Sequence, residues 1–232
     1  MVKSFLIILI SQIFLFSDEQ VILVVAESIE SQNAKLTCFE DNKKMFESFE
    51  VNLGEGGLGF GIGKKSLIRV VNEPVKKEGD KKAPIGIFEL ESVFGYKEKM
   101  DIKMPYLHAE KELICVDDPN SRYYNQIIKM PKDMPKSFEV MKRDDNQYEL
   151  GVVVAHNKVQ LEGAGSCIFM HVQKDKNSPT LGCTSMSMQD LQKIVSWLDI
   201  EKKPTLIQVT KKQLHQVLEL YPNLELEQKI EE

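Results

Sequence analysis

Short runs of alternating apolar and polar residues, rich in β-branched and aromatic side chains, recur along most of the chain. Runs of this kind, bounded by polar breaks, predict β-strands. The predicted strands lie at 21–28, 34–40, 48–54, 66–71, 85–90, 111–116, 148–156, 167–172 and 205–210. The pattern therefore predicts one mainly β domain with some helix, an α+β fold.

A clear helical pattern appears only late in the chain. Apolar residues recur at helical spacing from Leu191 to Leu198, Ser187 or Ser185 is placed to cap the helix, and Pro204 ends it. A second helix is predicted from residue 211 to 220, followed by an acidic tail. The expected organisation is a domain over 18–210 and a C-terminal helix with its tail over 211–232.

Length and charge narrow the class of protein. The 232 residues suffice for one large domain or two small ones, and 28% charged with 42% hydrophobic residues is ordinary for a globular protein. The formal net charge is −5, whereas nucleic-acid binders usually carry a basic face. Nucleic acid is therefore not an expected partner.

The N-terminus has the pattern of a secretory signal peptide. Lys3 precedes the apolar run SFLIILISQIFLF at 4–16, and Asp18 and Glu19 follow shortly after it. The run is shorter than the roughly 20 residues of a membrane span. The cleavage site is poor because Leu15 stands where a small residue is preferred. We expect residues 1–17 to direct export, either as a cleaved signal or as a retained anchor.

Four cysteines, at 38, 115, 167 and 183, are widely spaced. In an exported protein they could form two disulfides in any of three pairings. If Cys183 reacts as a free thiol, at most one bridge remains. Cys167 is expected to lie in the core or in the strand at 167–172.

The segment GEGGLG at 54–59 matches a dinucleotide-binding pattern in form only. That pattern must follow a strand and open a helix. Here six glycines fall within residues 54–63 and a further predicted strand follows. The segment is expected to form a hairpin or a bulged strand pair.

His171 and Cys183 form the strongest chemical pair. A free thiol is only a few per cent ionised at neutral pH, and a neighbouring imidazole can take its proton. Gly182, directly before Cys183, permits a sharp turn, and backbone N–H groups at 182 and 183 could stabilise an oxyanion. By spacing alone, a coincidental pair remains the more common explanation.

A metal site is the alternative chemical interpretation. Cys167 and His171 share a face of the predicted strand. They would lie about 13 Å apart in an extended strand, so a single metal could not bind both. No tight cysteine pair typical of a structural zinc site is present. We expect no metal, and we expect His156 to be structural or to line a pocket.

Four stretches of the chain occur together in a fixed order. They are GLGFGIGK (57–64), KKEGDKKAPIGIFEL (76–90), CVDDPNSRYYNQII (115–128) and GSCIFMHV with SPTLGCTSMS (165–187). Taken alone, KKEGDKKAPIGIFEL is typical of a solvated turn that leads into a strand. Together the four stretches cover much of residues 50–200 and resemble the L,D-transpeptidase catalytic domain, often called the YkuD domain, and its exported subgroup with a Pro-Thr-x-Gly-Cys active-site loop. Ala83 stands where the family usually has threonine.

The resemblance implies a β-sandwich-like domain that acts on peptidoglycan without a cofactor. It implies Cys183 as the nucleophile, His171 as the proton acceptor and Gly182 in the catalytic loop. The cysteine would attack a tetrapeptide stem after its third residue, release D-alanine and form an acyl-enzyme that an amine of a neighbouring stem resolves. The residues expected to bind substrate or to hold the loops of the site are Thr180, Asn157, Asp118, Arg122 and Tyr123.

The chain departs from the family at two positions of the active-site loop. Leu181 replaces a common histidine and Ser185 replaces a common arginine, so the contacts of that arginine are not expected here. We predict an exported L,D-transpeptidase in the periplasm or cell envelope. The alternatives are an L,D-carboxypeptidase, in which water resolves the acyl-enzyme, and an inactive wall-binding protein.

Overall fold

The computed structural model describes residues 19–226. The predicted leader (1–17) and the end of the acidic tail (227–232) lie outside these residues. The strands are β1 (Gln20–Ala26), β2 (Asn33–Glu40), β3 (Lys43–Lys44), β4 (Phe49–Asn52), β5 (Leu58–Phe60), β6 (Ala83–Gly95), β7 (Tyr106–His108), β8 (Leu113–Cys115), β9 (Ile127–Lys129), β10 (Glu139–Val140), β11 (Leu150–Val154), β12 (Phe169–Val172), β13 (Thr184–Met186) and β14 (Thr205–Thr210). The helices are α1 (Met188–Trp197) and α2 (Leu214–Leu220), with 3-10 turns at Ile200–Lys202 and Lys211–Gln213.

Eight strands pair in an order that returns to its starting point. The order is β1, β14, β6, β11, β12, β13, β4 and β2, and β2 pairs again with β1. The sheet therefore curls around an apolar interior that includes Ile22, Leu36, Ile87 and Val152. The mainly β fold predicted from the sequence is confirmed.

Helix α1 forms where the apolar spacing predicts it. The Ser187 side chain caps the helix by accepting a hydrogen bond from the Asp190 N–H at 3.1 Å. Leu191, Ile194 and Val195 are buried, and the helix contacts β11 and β12. Of the helices within residues 19–226, none is long and apolar enough to cross a membrane.

A second, three-stranded sheet lies beside the closed one, in the order β10, β8, β9. Its register pairs Glu139 with Cys115. A disulfide joins Cys115 to Cys167, which lies two residues before β12. The small sheet is thus covalently attached next to the strand that carries His171.

Three details of the fold differ from the sequence-based expectations. The segment 66–71 forms no strand: it pairs with no neighbour there, and Ile68 and Val71 are 74% and 82% exposed. The glycine-rich segment forms no hairpin, because β5 pairs in parallel with β6. Cys167 lies in the core, as one of the two expectations had it, but it stands two residues before β12 with a left-handed φ of 53° and is not part of the strand.

The disulfide should contribute strongly to stability. Its half-cystines are 52 residues apart, and the loop-entropy model gives about 4 kcal/mol for a closed loop of that size. Replacing both Cys115 and Cys167 by serine should lower the free energy of unfolding in urea by that order. Dithiothreitol should destabilise the native chain and Cys38→Ala equally, and should leave the double variant unchanged. An equal response of the double variant to the reductant would contradict this assignment.

Candidate active site

Parallel pairing of β12 with β13 brings the two predicted reactive residues together. Met170 pairs with Thr184 and His171 with Ser185, so Cys183 lies just before the start of β13, beside β12. Both side chains are buried, and both line one cavity of about 500 Å³. The structure therefore places His171 and Cys183 in a common pocket.

Thr180 shapes the loop that presents Cys183. Its hydroxyl donates to the Cys183 carbonyl at 2.7 Å and accepts from the Gly182 N–H at 3.0 Å. Gly182 has a φ of +138°, and a Cβ there would lie 3.1 Å from the Lys82 carbonyl oxygen. Because Thr180 occupies the Gly182 N–H, only the Cys183 N–H, which has no acceptor within residues 19–226, remains for an oxyanion.

The Cys183 thiol is protonated at rest. Burial, followed by the Glu139 carboxylate, raises its pKa to about 12, while the Phe169 N–H, the Lys76 ammonium and the Arg143 guanidinium act in the opposite direction. The Phe169 N–H donates to Sγ at 3.3 Å, and the thiol donates to the Cys167 carbonyl oxygen at 3.6 Å. The Cys183 sulfur is thus held on both sides by backbone that adjoins the disulfide.

His171 is a neutral base at rest. Burial is the largest cause that lowers its imidazole pKa, to about 4. Nδ1 lies 2.8 Å from the Val172 carbonyl oxygen, to which it donates, so this tautomer leaves the Nε2 lone pair free to accept a proton. No hydrogen bond joins His171 to Cys183 in the described chain. The resting pair is thus a neutral thiol and a neutral imidazole.

An aromatic cluster packs against the imidazole of His171 through the Tyr148 ring. The Tyr148 ring meets His171 edge-on at 5.3 Å, and it also contacts Phe94 and Phe169. The Tyr148 hydroxyl donates to the Glu139 carboxylate, whose pKa is raised mainly by burial. The small sheet therefore supplies an acid beside the reactive pair, and neither Tyr148 nor Glu139 was predicted from the sequence.

The charged segment at 76–82 forms the predicted turn before β6, with Lys77, Gly79 and Lys81 exposed, but it is also part of the cavity wall. Lys76 is buried and its ammonium lies 2.6 Å from Asp80. Glu78 accepts hydrogen bonds from the hydroxyls of Tyr124 and Ser166. The family resemblance was the one sequence signal for this segment, because its composition matches that of any exposed turn.

Among the predicted substrate-binding residues, only Thr180 lines this cavity. Asn157 is fully buried and bonds the backbone at Leu161 and Gly165. Asp118 accepts the Asn120 N–H in its own loop and the Lys136 N–H of the loop before β10, and Arg122 donates to the Tyr123 hydroxyl at 2.6 Å. These four residues hold loops, and their contact with a substrate stays a prediction.

The departures from the family occupy distinct places in the site. Leu181 is 75% exposed and lines the cavity. Ser185 is buried, pairs with His171 in register, and its hydroxyl has no hydrogen-bond partner among residues 19–226. The loop therefore presents an apolar side chain to solvent where many family members carry a histidine.

The residues considered as metal ligands do not form a cluster. Cys167 is used in the disulfide. Within the described chain, no three histidine, cysteine or acidic side chains are placed to hold a metal ion. His156 accepts the Ile62 N–H through Nδ1 and bonds the Ala164 carbonyl through Nε2, so its role is structural.

A comparison with protein families identifies the class. The model of the L,D-transpeptidase catalytic domain, YkuD, matches residues 20–209, most of the chain. The chain belongs to this family, which acts on peptidoglycan. Searches of curated proteins and of solved structures found no match.

Thr180 should be important for stability through its hydroxyl. Thr180→Val keeps the shape but leaves the Gly182 N–H and the Cys183 carbonyl without this partner, which should cost about 2–3 kcal/mol in the free energy of unfolding. Thr180→Ser keeps the hydroxyl and should cost less than about 1 kcal/mol. Urea unfolding of both variants measures the difference, and equal losses would show that the hydroxyl is not responsible.

The two buried neutral histidines should make stability depend on pH. Burial lowers the pKa of both His156 and His171 to about 4, below the unfolded value of about 6.5. Their contribution is fully present above pH 6.5 and is lost as the pH falls towards 4, by about 2–3 kcal/mol per histidine. Urea unfolding between pH 7.5 and 4.5 should show this decline.

A variant pair tests the assignment of that decline. His156→Gln should reduce the slope by about half, because one of the two titrating groups is removed. His215→Gln, at an exposed position, should leave the slope unchanged. A native slope that persists in full in His156→Gln would contradict the assignment.

Proposed function

We propose that the chain is an exported L,D-transpeptidase that acts on peptidoglycan tetrapeptide stems through a Cys183 acyl-enzyme. The observation that carries this proposal is the shared cavity, in which a buried thiol and an imidazole with a proton-free Nε2 lie on neighbouring strands. A family match over residues 20–209 supports the substrate class.

Acylation follows from the neutral resting pair. Sγ attacks the carbonyl carbon after the third stem residue, and the thiol proton passes to His171 Nε2. The new C–S bond places the carbonyl electron pair on oxygen, beside the Cys183 N–H. Collapse of this oxyanion breaks the C–N bond, and His171 returns its proton to the D-alanine amine that leaves.

Deacylation repeats these steps with a new nucleophile. An amine of a neighbouring stem attacks the thioester carbonyl and gives its proton to His171. Breakage of the C–S bond releases the cross-linked peptide, and the proton returns to Cys183. Water in place of the amine would yield a tripeptide, which is the carboxypeptidase reaction.

The disulfide supports export. Disulfides persist in oxidising compartments and are rare in reducing ones. The Cys115–Cys167 bridge adjoins the nucleophile, and Cys183 itself is free. This supports our proposal of a periplasmic or cell-envelope location, in keeping with the secretory pattern of residues 1–17.

Incubation of the purified chain with disaccharide tetrapeptide, followed by mass spectrometry, tests the activity. Loss of D-alanine together with a cross-linked dimer is expected, and Cys183→Ala should lower the rate at least about 10⁴-fold, since no other group can form the thioester. Cys38→Ala, far from the cavity, should retain the native rate.

The products also separate the alternatives. Tripeptide alone would identify a carboxypeptidase. No product, with an acceptor amine present and Cys183 reduced, would overturn the enzymatic proposal and favour a wall-binding protein. Product from Cys183→Ala would overturn the assignment of the nucleophile.

A further inference from the structure

A buried ammonium lies in the wall of the Cys183 cavity. The Lys76 side chain is 3% exposed and lines the same cavity as Gly182 and Cys183. Burying a charged amine is costly unless it is paired. Lys76 is paired with Asp80, but a turn could be closed without placing that charge next to a nucleophile.

Two glycines make room for this side chain. A Cβ on Gly165 would lie 3.0 Å from Lys76 Cε, and one on Gly182 would lie 3.8 Å from Lys76 Nζ. The φ angles of these glycines are +97° and +138°, which disfavour any other residue. The ammonium is thereby positioned directly beside the residue that precedes the nucleophile.

The ion pair is rigid and leaves one donor available. Asp80 is fixed by the N–H groups of Lys77 and Lys82, at 2.7 and 2.9 Å. Lys76 Nζ donates to Asp80 at 2.6 Å and to the Lys77 carbonyl at 2.8 Å. An ammonium has three N–H groups, and within residues 19–226 the third has no acceptor.

Negative charge at Cys183 is opposed by its surroundings. Burial and Glu139 disfavour the thiolate, while Lys76 and then Arg143 favour it. Thr180 occupies the Gly182 N–H, so the backbone offers a single N–H to the oxyanion. Typical oxyanion sites provide more than one donor.

We propose that Lys76 is the cation that stabilises the negative charge formed beside Cys183, first on the thiolate and then on the carbonyl oxygen. The reaction at the thiol is independent of the substrate, while the oxyanion role rests on the proposed function. A merely structural Lys76–Asp80 pair would close the turn at 77–80 without affecting the reactivity of the thiol.

Alkylation of Cys183 by iodoacetamide and by iodoacetate tests this charge. In both reactions the thiolate attacks the CH₂ carbon and iodide leaves, but only iodoacetate is an anion. The rates on the Cys183 peptide are followed by mass spectrometry from pH 6 to 11. Glu139, Arg143 and His171, which face the same cavity, are left unchanged.

Two variants should shift the thiol in opposite directions. Below the thiol pKa, the alkylation rate at a given pH follows the thiolate fraction. Lys76→Met removes the cation, so the iodoacetamide rate at each pH and the iodoacetate-to-iodoacetamide rate ratio should both fall at least about threefold. Asp80→Asn removes the counter-ion and keeps the ammonium, so the rate at each pH and the ratio should both rise. Damage to the fold alone would move both variants in the same direction.

Lys81→Met is the matched control, because Lys81 also lines the cavity and pairs with an acid, Glu55, but is 49% exposed. Its ratio should change less than about twofold, since solvent screens an exposed pair. A ratio in Lys76→Met equal to that in Lys81→Met would overturn the proposal. If Lys76→Met does not fold, an unchanged or lowered iodoacetamide rate in Asp80→Asn would overturn it instead.

Peptide turnover separates this proposal from the proposed function. Opposite shifts in alkylation without any product from tetrapeptide would retain the cation and reject the transpeptidase. Turnover of tetrapeptide with unchanged alkylation in both variants would support the transpeptidase and overturn the proposed role of Lys76.

Discussion

The parallel pairing of β12 with β13 is the constraint on which the site depends. Parallel neighbours need a crossover connection, and here it is the loop of residues 173–183. The loop must return to the start of the neighbouring strand, and there it delivers Cys183 against the Phe169 N–H. The spacing of twelve positions from His171 to Cys183 is therefore set by this eleven-residue crossover, and its polar turn residues allow the chain to return.

This geometry places both reactive groups in the interior, and burial then decides their charge. The same desolvation raises the pKa of the thiol and lowers the pKa of the imidazole, so the neutral pair is the resting state. A resting thiol in this state is also poorly reactive towards oxidants and other thiols, because the thiolate is the reactive species.

The sequence predicted those parts of the molecule that local pattern controls. The spacing of Leu191, Ile194 and Val195, together with the Ser187 cap, was sufficient for α1, and the alternating runs located most of the strands. The segment 66–71 has the same local pattern but finds no partner, and strand formation requires one. Local pattern therefore could not decide between a strand and an exposed loop at Ile68 and Val71.

The site was predictable to the same extent. His171 and Cys183 were singled out by the family resemblance, because their spacing alone left a coincidental pair as the more common explanation. Lys76, Glu139 and Tyr148 reach the cavity from three other segments, and no spacing in the sequence relates them to Cys183. Only the pairing of strands and the Cys115–Cys167 bridge bring them together.

The small sheet supplies a polar side chain that the apolar interior of the closed sheet could not hold. The interior of the closed sheet is hydrophobic and could not hold acids or amines without great cost. The small sheet instead brings Glu139 to the edge of that core, where the Tyr148 hydroxyl bonds it. Because Glu139 pairs with Cys115, the disulfide fixes the acid and the backbone around Cys183 relative to each other. The polar residues of the site thus come together where the two sheets meet, and the Cys115–Cys167 disulfide is a covalent link between the small sheet and the segment that leads into β12.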